Sequence, residues 1–270
     1  MNNQDSTGLR GLQKFISSIE CFRDHYLEQI SEIDSTNSEL KRRIDEGVCR
    51  KFILIADHQT SGRGQFGRSW WDNPHECLLF SFHWDLDHQE RDDFPITLLT
   101  GVAVWKALRD LTGDEEKIWL KWPNDIMIAD SKVGGILVEG FSQGSEILRI
   151  VIGIGINLNG KEALLPDGEK RVAVSSFFPK IKILDSFKAI LAHWGHLWKF
   201  RSEKSALKEL CEEAAKPFWK KKVKIWENSS AFFFEGFPEK LTEDGELIIR
   251  LNDGSERKIN SLNRIKLISP

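Results

Sequence analysis

Hydrophobic and polar positions along the chain follow two periods. Leu98, Val102, Trp105 and Leu108 recur every three to four residues, the spacing that places them on one face of an α-helix. Phe187, Ile190, Leu191, Trp194, Leu197 and Trp198 form a second helical stripe; Leu207, Leu210, Cys211, Ala214 and Phe218 form a third. A shorter helix is expected over 36–46, where Thr36 and Glu39 make a capping-box pattern, Leu40 and Ile44 share a face, and Gly47 can end it. Short apolar, β-branched runs at 52–56, 78–84, 118–122, 126–128, 133–139 and 147–154 read as strands. Asp130-Ser131 and the stretch 142–145 supply turns between the last of them. Residues 21–218 therefore read as one mixed domain of helices and hairpin-linked strands.

From Val223 the texture changes to short strand-like pieces at 223–227, 231–236, 246–251, 256–260 and 264–268. Asn252-Asp253-Gly254 between two of them suits a tight hairpin, because these residues tolerate positive φ. Residues 219–270 are accordingly expected to form a small β-barrel. Residues 1–20 are polar and weakly patterned, and read as a poorly ordered leader with a short helix near 12–19.

Composition narrows the function classes. Lys and Arg total 38 against 41 Asp and Glu, a net charge of −3, so no strong field points to nucleic acid or to a membrane surface. No apolar run approaches the roughly 20 residues needed to span a bilayer, and the N-terminus lacks an apolar signal core; a cytoplasmic location is expected. Cys21, Cys49, Cys77 and Cys211 are scattered without metal spacing, and His193 and His196 have no third ligand nearby, so neither zinc nor haem is expected.

Gly62-Arg63-Gly64-Gln65-Phe66-Gly67 formally matches GxGxxG after a strand. A dinucleotide loop must open a helix, whose N-terminus receives the pyrophosphate. Here an unpatterned stretch at 68–74 and then a strand follow, so an NAD-binding reading fails. What remains is a glycine-rich loop whose Arg63 and Arg68 can clamp a carboxylate or phosphate and whose Trp70 can stack, or else a basic surface turn. In Lys121-Trp122-Pro123-Asn124-Asp125, proline limits strand pairing and sets Asn124 and Asp125 at a break, where they can hold Mg²⁺ or a ribose, or merely cap a turn. Lys132 opens a buried strand beside Gly134 and Gly135, as a ligand contact or a solvated strand-edge lysine. Asn157 ends the glycine-interrupted strand at 153–157, as a bulge or a ligand contact.

Taken in order, Ser35-Thr36-Asn37, GRGQFGRSW (62–70), KWPND (121–125), KVGGIL (132–137) and GIGINLN (153–159) closely resemble biotin–protein ligase, also called biotin–acetyl-CoA-carboxylase ligase. The resemblance runs motif by motif from about Ile33 to Asn159 and favours biotin over lipoate. It implies an α+β fold: a mixed sheet packed with helices in the manner of class II synthetases, then a Src-homology-3-like barrel. It also implies that biotin and Mg-ATP form biotinyl-5′-AMP with release of pyrophosphate, and that biotin then passes to a lysine of a biotin carboxyl carrier domain. Members include monomers and dimers formed through the sheet, and a homodimer is the expectation.

The resemblance assigns roles by position. Ser35, Thr36, Asn37 and Gln59 contact biotin, together with the loop residues Gly62, Arg63, Gly64 and Gln65 and with Gly135. Arg68, Trp70, Lys121, Asn124, Asp125 and Asn157 serve ATP or the adenylate. Lys132 bridges the biotin carboxylate and the α-phosphate; with Arg63 and Asp125 it makes the catalytic set, and Asp125 is the candidate Mg²⁺ ligand. Two positions depart from the family. Gln65 stands where the family often has arginine, which implies weaker charge-assisted retention of the adenylate. Cys77 stands where Asn is frequent, so nothing is carried over to 75–77. With only about 30 residues before Ser35 and no basic excess, specific DNA binding is not expected. A lipoate ligase of the same superfamily and a non-catalytic biotin or nucleotide sensor are the rival readings.

Overall fold

The computed structural model describes residues 3–48, 50–86, 94–114, 116–143, 146–165, 170–226 and 232–268. Cys49, the Gly144-Ser145 part of one expected turn, and positions 227 and 231 of two expected strands lie outside them. In chain order the helices are α1 (Asn3–Ser18), α2 (Thr36–Asp45), α3 (Ile96–Thr112), α4 (Ile183–Trp198) and α5 (Lys204–Ala214). The strands of the first part are β1 (His25–Ile33), β2 (Lys51–Gln59), β3 (Gly62–Arg63), β4 (Ser69–Trp70), β5 (Cys77–Asp85), β6 (Ile118–Lys121), β7 (Asp125–Ile128), β8 (Ser131–Gln143), β9 (Glu146–Asn157), β10 (Ala163–Leu164) and β11 (Lys170–Arg171). The C-terminal part adds β12 (Val223–Trp226), β13 (Phe233–Leu241), β14 (Leu247–Leu251), β15 (Glu256–Ile259) and β16 (Arg264–Leu267).

Seven strands form one mixed sheet in the order β1-β2-β5-β9-β8-β7-β6, parallel between β1 and β2 and antiparallel elsewhere. The period-two alternation of its strands decides what each face does. On β9, Ile150, Ile152, Ile154 and Ile156 enter the main core with α3 and α4. The intervening residues, Val151, Gly153, Gly155 and Asn157, face the other way. On β2, Ile53 and Ile55 join the main core, while Leu54 packs with Leu40 of α2. Burying side chains of this size contributes roughly 1.5–3 kcal/mol each, so a one-residue slip in register would be heavily penalised.

Two sequence expectations are revised and one strand is added. The helix expected near 12–19 is longer and starts earlier: it spans Asn3–Ser18, with Leu12 and Ile16 buried. Its Gln13 also accepts from Leu27 N–H (2.8 Å) and donates to His25 C=O (2.9 Å), covering polar groups of β1. Strand β1 was not visible in the pattern, because this edge strand keeps Glu28, Gln29 and Glu32 at or near solvent. The N-cap of α2 is Ser35, which accepts from Ser38 N–H; Thr36 is the first helical residue and its hydroxyl turns elsewhere.

The C-terminal strands form an antiparallel sheet in the order β15-β14-β13-β12-β16, consistent with a Src-homology-3-like domain. It is joined to the first part by specific contacts. Trp122 Nε1 donates to Gly245 C=O at 3.0 Å, and Lys221 meets Asp130 at 2.6 Å. Among the described residues, no helix is long and apolar enough to cross a membrane.

Candidate active site

The glycine face of β8 and β9 is the floor of a cleft with about 1270 Å³ of empty space, counting its open mouth. The start of α2, the end of β2, the loop after β3, the turn between β6 and β7, and β11 form its walls. Every site residue expected from the sequence lines it except Gly62. Gly62 sits behind the wall, where a Cβ would come within 2.6 Å of Trp70 C=O and 3.1 Å of Gln59 Nε2.

At one end lies a buried polar chain. Gln59 Oε1 accepts from Thr36 N–H at 2.8 Å, and the Thr36 hydroxyl is 2.6 Å from that of Ser81. Ser81 donates to Asn37 Oδ1 at 2.6 Å, and Asn37 Nδ2 donates to Glu139 Oε2 at 2.8 Å. Buried polar groups persist where hydrogen bonds satisfy them, and such a chain fixes the orientation of each member. Gly153 makes it possible, since a Cβ there would collide with the Asn37 amide. Ser81 and Glu139 were missed by sequence reasoning; each is a polar residue interrupting an apolar strand run, which is the only signal they give.

In the middle, the Trp70 indole lies across the strand glycines. A Cβ on Gly155 would be 2.7 Å from Trp70 Cε2, and one on Gly135 would be 3.3 Å from Cζ3. Lys132 Nζ stands 5.8 Å from the ring centre. Trp70 Nε1 is buried with no hydrogen-bond partner. The loop before it turns through left-handed conformations at Phe66 (φ 58°) and Gly67 (φ 72°), and a non-glycine residue there carries backbone strain.

Charge is distributed one-sidedly. Arg63, Arg68, Lys121, Lys132, Lys170 and Arg171 line the cleft against a single lining carboxylate, Asp125. Burial alone would raise the Asp125 pKa, but Lys121 and Lys132 hold it well below the usual carboxylate range. Lys121 Nζ is 2.7 Å from Oδ2 and Lys132 Nζ 2.7 Å from Oδ1. Each oxygen thus already takes an ammonium group. Among the described residues, no three His, Cys, Asp or Glu side chains gather in a metal-binding arrangement. This donor set does not fit the expected Mg²⁺ site at Asp125, because cations already flank the carboxylate; it fits an anion beside the lysines.

The remaining expected residues are placed as follows. Arg63 reaches Glu139 Oε2 at 2.8 Å, so one carboxylate ties the glycine loop to Asn37 of α2. Asn124 donates to Ile136 C=O at 2.8 Å, which holds the 122–124 turn against β8. Asn157 spends its amide inward, accepting from Cys77 Sγ at 3.4 Å and donating to Val172 C=O at 3.3 Å. Burial raises the Cys77 pKa, leaving a neutral thiol rather than a poised nucleophile.

Comparisons with known proteins agree with this geometry. The Escherichia coli bifunctional ligase/repressor BirA is 38% identical over 126 residues, which cover 47% of this chain and 38% of that protein. A biotin–[acetyl-CoA-carboxylase] ligase of Mycobacterium tuberculosis is 30% identical over 150 residues, covering 52% of this chain and 53% of that one. The chain spans only 38–45% of the length of the BirA relatives it matches. Among solved structures, biotin protein ligase from Aquifex aeolicus in complex with biotin and ATP superposes with a TM-score of 0.74 at 26% identity, covering 90% of this chain and 99% of that one. Residues 30–157, which carry the buried polar chain, Trp70, the two lysines and the strand glycines, match the family model of the biotin/lipoate A/B protein ligases, and this segment of the chain belongs to that family.

Proposed function

We propose that the protein is an ATP-dependent biotin–protein ligase. The observation that carries this reading is the Lys121–Asp125–Lys132 array beside Trp70, in a cleft lined by six cations and closed at one end by buried amides and hydroxyls. The amide-rich end at Thr36, Asn37 and Gln59 offers donors and acceptors suited to a ureido ring. Trp70 and the glycine floor suit an apolar chain, and Lys132 suits the carboxylate at its far end.

In the first step a biotin carboxylate oxygen forms a bond to the α-phosphorus of ATP, and the bond from that phosphorus to the bridging oxygen breaks to release pyrophosphate. Both reactants are anionic, and the cationic wall relieves their repulsion. Lys132 stands between them, and Asp125 holds the ammonium in place while Lys121 balances the carboxylate. In the second step the neutral amine of a carrier-domain lysine attacks the acyl carbon, AMP leaves, and the amine proton passes to solvent.

Biotin-dependent exchange of labelled pyrophosphate into ATP tests the reading, with lipoate and octanoate run in parallel. Exchange with biotin alone is expected. Exchange with lipoate instead would move the chain to the sister activity. Biotin binding without exchange would make it a sensor.

A further inference from the structure

Arg171 is one of the six cations of the cleft wall, and no sequence motif pointed to it. It closes β11, is only 3% exposed, and lines the cleft beside Asn157 and Lys170. One nitrogen of its guanidinium is committed: Nη2 is 3.0 Å from Glu76 Oε2 and 3.6 Å from Cys77 Sγ. Nε and Nη1 are buried and have no hydrogen-bond partner. A guanidinium stays charged and has only donors to offer. Buried with donors unmet it is costly, and it marks where an acceptor is missing.

Its place along the floor says whose acceptor that is. Gly153 makes room for Asn37 and Gly155 for Trp70, and Asn157 is the next residue on that face, each step being about 6–7 Å along the strand. Asn157 donates to Val172 C=O, which sets Arg171 at this end of β9, away from the Asn37 end. With an acid's ring at Asn37 and its carboxylate at Lys132, the group that reaches Arg171 belongs to the nucleotide. Asn157 is held by Cys77 and Val172 and carries no charge, so the buried charged donors at this end are those of Arg171. Glu76 is built to hold the arginine: Asn73 Nδ2 donates to it at 2.8 Å, and the missing side chain of Gly160 (φ +105°) leaves the space that its carboxylate fills.

We propose that Arg171 is a nucleotide-binding residue whose free guanidinium donors take an acceptor of ATP, with Glu76 as its positioning residue. This rests on the ligase reading above. A phosphate oxygen and a base or ribose acceptor present the same chemistry to it, and two probes separate them.

In Arg171→Met, the KM for ATP in pyrophosphate exchange should rise at least about tenfold, as expected for loss of a charge-assisted hydrogen bond, with biotin affinity unchanged. Glu76→Gln keeps the guanidinium and should raise the same KM by a smaller factor. Direct binding of adenosine and of tripolyphosphate locates the acceptor: loss of the first alone puts it on base or ribose, loss of the second alone on the phosphates. A folded Arg171→Met protein that binds ATP and both probes within twofold of wild type would overturn the proposal and leave a structural ion pair. If that variant does not fold, an unchanged ATP KM in Glu76→Gln overturns it instead. A wild-type protein that binds ATP without biotin-dependent exchange, and loses ATP binding with Arg171→Met, would sink the ligase reading while keeping the nucleotide site.

Discussion

Gly155→Ala puts the sharpest strain on the floor of the cleft. The added Cβ would lie 2.7 Å from Trp70 Cε2 and 2.9 Å from Cζ2, whereas carbon atoms rest at roughly 3.5–4.0 Å. The indole must therefore rise by about 1 Å, and the direction open to it is into the cleft. Overpacking of this kind costs about 1–3 kcal/mol. A displacement of that size at a substrate-positioning group lowers turnover by around 10²-fold. We expect kcat/KM for biotin in pyrophosphate exchange to fall by 10- to 100-fold (an order-of-magnitude figure from the same relation), with a thermal midpoint only a few degrees lower. Trp70→Phe in the Gly155→Ala background should recover part of the loss by removing the ring edge that collides, and a double-mutant cycle would report the coupling directly. Gly11→Ala in α1, where nothing lies within 4 Å of the new Cβ, is the control; it should leave activity alone and stabilise the helix by up to about 1 kcal/mol. If Gly155→Ala kept activity within twofold of wild type, the claim that Trp70 and the strand glycines set the width of the cleft would be wrong.

Lys132→Ala should abolish adenylate formation with the fold intact by circular dichroism; near-normal exchange would remove Lys132 from the mechanism. Gln65→Arg adds a cation to the loop that lines the cleft and should slow release of the acyl-adenylate in a chase experiment, and an unchanged release rate would refute that account. His25 and His83 are buried in the core, and burial lowers both pKa values from the ordinary 6.5 to about 4. The unfolded chain binds more protons between those limits, so this stability is fully present above about pH 6.5 and is lost as pH falls toward 4. At about 1.4 kcal/mol per pH unit the loss is roughly 3 kcal/mol for each histidine. Denaturant midpoints across this range should fall with acidification, and less steeply in a folded His83→Gln variant; identical slopes would contradict the assignment.

Much of the site was legible in the sequence because its residues sit in contiguous runs whose alternation fixes the face they share. Once Ile150, Ile152, Ile154 and Ile156 go to the core, Gly153, Gly155 and Asn157 must face the opposite side. What was not legible depends on approach through space. Ser81, Glu139 and Arg171 lie outside the motif runs: β5 and β8 bring the first two onto Asn37, and β11 brings Arg171 into the cleft wall. Strand β1 and the first half of helix α1 were hidden for another reason: β1 is an edge strand with polar residues at or near solvent, and the start of α1 has no apolar stripe, so their apolar signal is thin. Local sequence alone also placed the cap of α2 one residue late, because the Thr36 hydroxyl is taken by Gln59 and Ser81, contacts that no short-range rule contains.

The hydrogen bond from Trp122 Nε1 to Gly245 C=O gives the C-terminal sheet a standing that its small size conceals. Trp122 opens the turn that presents Asn124 and Asp125, and Gly245 is wedged against Pro95 and Leu98 at the start of α3. From the same part of the chain, Ile265 of β16 and Asn263 in the turn before it reach the cleft wall itself. A chain shortened near residue 219 is therefore not a minimal version of the same device: it loses part of its cleft wall and strips an indole of its acceptor. The appendage touches the larger sheet beside the site, and exchanging it for a relative's counterpart would alter the frame that holds Asp125 between its lysines.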